Sequence, residues 1–132
     1  MDDSGKVYFG VDSSLGDSPS PGLPSVLASD KYLNDGEWHH VAAVLSPTEG
    51  QSLFVDGIKV ASDPLARKAG NYTGYWRIGY DLSNMAPSPT TQNWTGQLQE
   101  FWIVHAAREA EWVRTLYESM KPKSTLISAA AE

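Results

Sequence analysis

A chain of 132 residues holds one hydrophobic core and has no room for a second, so a single domain over residues 1–132 is expected. Hydrophobic residues make up 41 % and charged residues 20 %, a globular balance that excludes wholesale disorder. Ten basic against sixteen acidic residues leave a net charge of −6, which argues against nucleic acid or an anionic membrane as partner, and the absence of cysteine excludes disulfides, thiol catalysis and Cys-ligated metal.

No apolar run is long enough for a membrane span, and the acidic start Met1-Asp2-Asp3-Ser4 lacks the apolar region of a signal peptide. Residues 6–11 are β-rich and read as a strand. Residues 12–24, with Gly16, Pro19, Pro21, Gly22 and Pro24 among serines, read as a loop, and Ser25–Ser29 as a second short strand. Asn34-Asp35-Gly36 supplies a turn. It leads into Trp38–Leu45, whose alternating positions are apolar on both faces, so a central strand covered on both sides is expected.

After a turn at Pro47–Gly50, two β-branched runs, Ser52–Val55 and Ile58–Ala61, flank Asp56-Gly57. That pair is a strong type I′ hairpin signal, because both central residues need positive φ. A polar loop over 63–74 precedes an aromatic strand at Tyr75–Tyr80, and a long loop from Asp81 to Asn93 follows. Residues 96–105 read as the longest strand. The period then changes: Trp112, Val113, Leu116 and Met120 recur at helical spacing, predicting a helix over 108–120 that Pro122 stops. A last short strand is expected over 124–131. This order, strands from 6 to 105 without βαβ alternation, predicts an all-β, antiparallel β-sandwich with one short C-terminal helix.

Four ordered segments carry a family resemblance. Asn34-Asp35-Gly36-Glu37-Trp38-His39-His40-Val41-Ala42 resembles the signature strand of laminin G-like domains in the concanavalin A-like lectin/glucanase superfamily. Leu53–Ala61 resembles that family's next hairpin, Trp76-Arg77-Ile78-Gly79-Tyr80 its apolar-Ile-Gly strand, and Thr95–Ile103 its later Gly- and Glu-bearing strand; Glu111-Trp112-Val113 is similar to its trailing helix. The resemblance implies a jelly-roll sandwich and an extracellular or cell-surface location. Relatives place two or three further strands before residue 6, so it also implies a domain incomplete on its N-terminal side. An uncovered apolar face and a free sheet edge then predict a homo-oligomer.

The glucanase branch needs two carboxylates on one strand face, about 5 Å apart for retention. The strand here, Gln97-Leu98-Gln99-Glu100-Phe101-Trp102, offers Glu100 alone, so no enzyme is expected. His39 and His40 are adjacent and point to opposite faces of a strand, which excludes joint chelation of one metal. Packed or rim histidines bonded to backbone are expected instead. Calcium is the one cofactor the residues suggest, with Asp81 and Glu100, joined by Asn84, as oxygen donors; the commoner role of Asp81 and Asn84 is turn capping, and Gln99 stands where relatives commonly place an Asp.

The aromatic complement is biased toward rings with a polar handle: five Trp and six Tyr against three Phe. Sugar recognition needs such faces for ring C–H groups and amide side chains for hydroxyls. Tyr72, Tyr75, Trp76, Tyr80, Asn84, Asn93 and Trp94 flank or occupy the two long loops and form the expected ligand site, with Trp38, Trp102 and Trp112 assigned to the core. The expected function is a non-catalytic binding module for carbohydrate. The alternative is a structural or adhesion module joining a protein surface, or its own copy, through an exposed sheet edge.

Overall fold

The computed structural model describes residues 4–11, 25–70, 75–79 and 94–122. In chain order it contains β1 (Tyr8–Val11), β2 (Ser25–Ala28), β3 (Val41–Ser46), β4 (Gly50–Val55), β5 (Ile58–Asp63) and α1 (Ala110–Met120). β1 pairs with β2, and β3, β4 and β5 form a meander in that order, with every pairing antiparallel. Two sheets and one helix make a small, partial β-sandwich. The loop at 12–24, the loop at 81–93 and the expected strand at 124–131 lie outside the described residues.

β4 is the middle strand of its sheet and is buried from end to end, with Leu53 at 0 % and Phe54 at 2 % exposure. Val11 and Leu27 from the first sheet, with Leu33, Val55, Ala66 and Val113, complete the buried apolar set. Two polar bonds stitch the sheets together. The fully buried Gln51 donates from Nε2 to the Phe9 carbonyl at 3.0 Å, and the Ser25 hydroxyl donates to Asp63 Oδ2 at 2.6 Å. The Ser25 bond, outweighing partial burial, holds the Asp63 carboxyl below its ordinary value. That contribution is present above the ordinary carboxylate pKa and lost as pH falls through the lowered one.

The hairpin forms as its sequence predicts. Asp56 (φ 51°) and Gly57 (φ 75°) both take the left-handed region, and β4 pairs β5 through Val55 and Ile58, with a bulge between Leu53 and Phe54. Gly57 is required twice over. A Cβ there would lie 3.0 Å from Tyr117 Cδ1 and 3.1 Å from the Arg114 Cα, so α1 seats on the hairpin tip only because no side chain intervenes. Gly57→Ala is expected to lower stability by about 1–3 kcal/mol, read from the urea midpoint with an unchanged m-value.

α1 starts at Ala110, two residues inside the expected boundary, with Glu111 in its first turn. Val113 is its buried residue, at 1 % exposure. The chain leaves the helix at Lys121 (φ −65°, ψ 141°), the extended conformation imposed on a residue preceding proline.

Three expectations are corrected. β3 begins at Val41 rather than Trp38 and lies at the edge of the described sheet, with Val41 42 % exposed. The reason is that β4 turns away at Asp56, whose amide reaches the His40 carbonyl but leaves no ladder for residues 38 and 39. The segments 75–79 and 96–105 form no strand in the described structure. Left-handed residues at Gly79 (φ 74°) and Glu100 (φ 56°) bend both runs, and a strand needs a neighbour to complete its hydrogen bonds. Trp38, Trp102 and Trp112 are 62 %, 54 % and 40 % exposed rather than core, since no described sheet covers them.

Candidate functional site

Among the described residues, two places concentrate chemistry-bearing side chains. The first is the aromatic segment at 75–79. Tyr75 and Trp76 are adjacent and stand 91 % and 64 % exposed, with Ile78 beside them at 49 %. The Trp94 amide donates to the Gly79 carbonyl at 2.6 Å, so the segments that border the long loop meet at this point. Trp94 is half-buried and packs over glycine backbone: a Cβ on Gly79 would lie 3.0 Å from Trp94 Cβ. Its indole Nε1 is buried without a hydrogen-bond partner among the described residues. Of the expected ligand residues, the structure therefore presents Tyr75 and Trp76 openly and uses Trp94 to hold their segment. Tyr72, Tyr80, Asn84 and Asn93 lie outside the described residues.

The second is a carboxylate clasp around His39. Its Nδ1–H donates to Asp56 Oδ2 at 2.8 Å and its Nε2–H to Asp35 Oδ1 at 3.1 Å. Asp56 Oδ1 also accepts from the His40 amide at 3.0 Å, and the Asp56 amide donates to the His40 carbonyl at 2.8 Å. Asp35 further caps its own turn by accepting from the Glu37 amide at 3.0 Å. Neutral imidazole has one N–H, so satisfying both carboxylates calls for the imidazolium. Burial opposes that charge, but the bonds to Asp56 and then Asp35, with their negative charge, outweigh it and raise the His39 pKa above its ordinary value. The Glu37 amide, and after it His39, hold Asp35 below the usual carboxylate range.

His40 turns the other way, toward the Tyr117 ring, with centroids 6.1 Å apart. Burial lowers its pKa, and the charge of Asp56 offsets only part of that; its Nδ1 has no partner among the described residues. The two histidines diverge as alternation requires, but His39 is bonded to carboxylates rather than to backbone. Asp56 thus does two jobs, as a left-handed turn residue and as the anchor of the segment entering β3. Its spacing of 17 residues from His39 left only the Asp-Gly turn visible in sequence.

For calcium, Glu100 is exposed at its left-handed bend and Asp81 lies outside the described residues. No group of three His, Asp or Glu side chains among the described residues is arranged to hold a metal ion.

Comparison with known proteins agrees with this architecture. A laminin G-type family model, described as the concanavalin A-like lectin/glucanases superfamily, matches residues 1–114. The chain belongs to that superfamily. The superfamily likeness of residues 34–42 and 53–61 falls on the two halves of the clasp, which ties the Trp38-His39-His40 segment to the hairpin turn. Among solved structures, the chain is similar to an S-layer domain-containing protein (residues 221–444) from Clostridium thermocellum ATCC 27405. The TM-score is 0.53 at 22 % identity, over 86 % of this chain and 52 % of that one. At that identity the likeness is one of fold, and the chain spans about half the length of its neighbour. No curated protein matches.

Proposed function

We propose that this superfamily domain is a non-catalytic binding module of a surface protein, taking carbohydrate on the aromatic pair Tyr75 and Trp76. The observation that carries the reading is the exposure of these two consecutive aromatic residues, 91 % and 64 %, on a segment whose end is bonded by the Trp94 amide. Rings of this type offer an apolar face to sugar C–H groups and a polar edge to hydroxyls. A neutral glycan is not opposed by the net charge of −6, whereas an anionic ligand is. The amide and hydroxyl groups of Asn84, Asn93, Tyr72 and Tyr80 border the same segment in sequence and are the proposed hydrogen-bonding partners. A cell-surface or extracellular setting accords with the superfamily and with the S-layer wording of the structural neighbour.

A glycan array probed with and without calcium tests this. Retention of at least one glycan class is expected, lost about tenfold or more in Trp76→Ala, where a stacking ring is removed. Trp38→Ala, which removes an equally exposed ring elsewhere, is expected to retain binding. An array with no retained glycan, or retention indifferent to Trp76, contradicts the proposal.

A further inference from the structure

The His40 ring sits where α1 meets the hairpin turn. Its Nδ1 is buried and has no hydrogen-bond partner among the described residues, and the ring contacts Tyr117 with centroids 6.1 Å apart. Tyr117 also seats α1 on the hairpin tip, with its Cδ1 3.0 Å from where a Gly57 Cβ would lie. One tyrosine therefore serves both contacts, so a change at the His40 ring acts on the docking of the helix. We propose that α1 is an acid-released latch: protonation of His40 lifts the helix from the hairpin tip while the sheet β3–β5 stays folded.

Three observations carry this. The first is the bare nitrogen. Neutral imidazole can leave Nδ1 as a lone pair, but imidazolium carries an N–H on both nitrogens. That second donor is buried without an acceptor while α1 is docked, and undocking gives it to water. The second is the charge around the ring. From the turn, the Asp56 carboxylate attracts the proton, but its two oxygens already accept from the His39 ring and the His40 amide. Cations oppose it: the His39 imidazolium on the same segment and, at the end of α1, the Lys121 ammonium. The latter lies 4.5 Å from the Tyr117 ring centroid and is bonded to Glu118 at 2.8 Å. Arg114 meets the same tip through its backbone, its Cα 3.1 Å from the Gly57 Cβ position. Burial decides the balance and lowers the His40 pKa despite Asp56. The third is the unequal hold of the two elements. Val113 is the one buried residue of α1, whereas β4 is buried along its whole length, so local opening is easiest at the helix. The undocked ring takes its proton at the ordinary histidine value. Docking is therefore full above that value and weakens as pH falls below it.

Amide hydrogen exchange of the full chain at about pH 7.5 and about pH 5, normalised for intrinsic rates, tests the latch. Protection of the α1 amides is expected to fall about fivefold or more at the acidic pH, the effect of one orphaned donor, with that of β4 unchanged. His40→Phe keeps a ring against Tyr117 that cannot be protonated, and should hold α1 at both pH values. His39→Gln should leave the release in place. In the wild type, NMR titration of both histidine rings gives a readout independent of any variant: the α1 resonances should follow the His40 midpoint and not that of His39. Protection of α1 indifferent to pH, release that persists in His40→Phe or vanishes in His39→Gln, loss shared equally by β4, or α1 resonances that follow His39 overturns the proposal.

Discussion

Phe54→Ala is expected to remove about 3–5 kcal/mol of stability, the range for truncating a fully buried aromatic ring. Phe54 is 2 % exposed on the central strand, beside Leu53 at 0 % and Val55 at 6 %. Its ring also lies 5.6 Å from the Lys59 ammonium across the hairpin, a contact the truncation removes. The buried apolar set is small, so little surrounding structure is available to collapse into the void. Against a total of about 5–15 kcal/mol for an ordinary domain, this loss is a large share. Urea unfolding followed by circular dichroism should show the midpoint falling steeply for Phe54→Ala. Trp38→Ala, at a 62 % exposed position, should stay within about 0.5 kcal/mol of wild type. Equal effects of the two substitutions would contradict the assignment of β4 as the centre of the core.

Asp56→Ala carries the second large effect, about 2–4 kcal/mol. It deletes the acceptor for the His39 ring and the His40 amide, and it places alanine at φ 51°. Asp56→Asn keeps a residue that tolerates this backbone and removes the charge alone, so its smaller loss isolates the ion pair. The pH dependence follows from the direction of each histidine shift. The His39 pKa is raised in the folded state, so its stabilisation is full below the ordinary histidine pKa and fades as pH rises through the higher folded value. The lowered His40 pKa works in the opposite sense: the folded state resists that proton, and stability falls as pH drops below the ordinary value. In the wild type the two partly cancel. In His40→Phe, which keeps the ring against Tyr117 without a titrating group, stability should decline from mildly acidic to mildly alkaline pH. Adding Asp56→Asn should flatten that decline. A slope that survives Asp56→Asn would contradict Asp56 as its main source, and one that also survives Asp35→Asn would exclude the clasp.

The parts of the fold legible in sequence are those fixed by local chemistry. Asp56-Gly57 forms its turn because the backbone demands two positive φ values there, and nothing distant needed to be known. The helix is similar: its period, and the stop imposed by Pro122 on Lys121, are both local. The segments at 75–79 and 96–105 had equally β-prone residues and formed no ladder, because a strand is a property of a pair. The bends at Gly79 and Glu100 carried no sequence warning in the latter case, where a glutamate takes the left-handed region. At the candidate site, the exposure of Tyr75 and Trp76 accords with their polar-handled chemistry. The role of Trp94 was less visible, since its contacts depend on Gly79, far along the chain. The tie between His39 and Asp56 was hidden for the same reason.

The most direct test of the carbohydrate reading watches the indoles themselves. In a heteronuclear NMR titration with a panel of soluble oligosaccharides, the five tryptophans give five indole N–H signals, assigned by single Trp→Phe substitutions. The Trp76 signal should shift on addition of a sugar that binds, while those of Trp38 and Trp112 stay in place. Titrations in which no indole signal moves, or in which Trp38 or Trp112 responds and Trp76 does not, would contradict it.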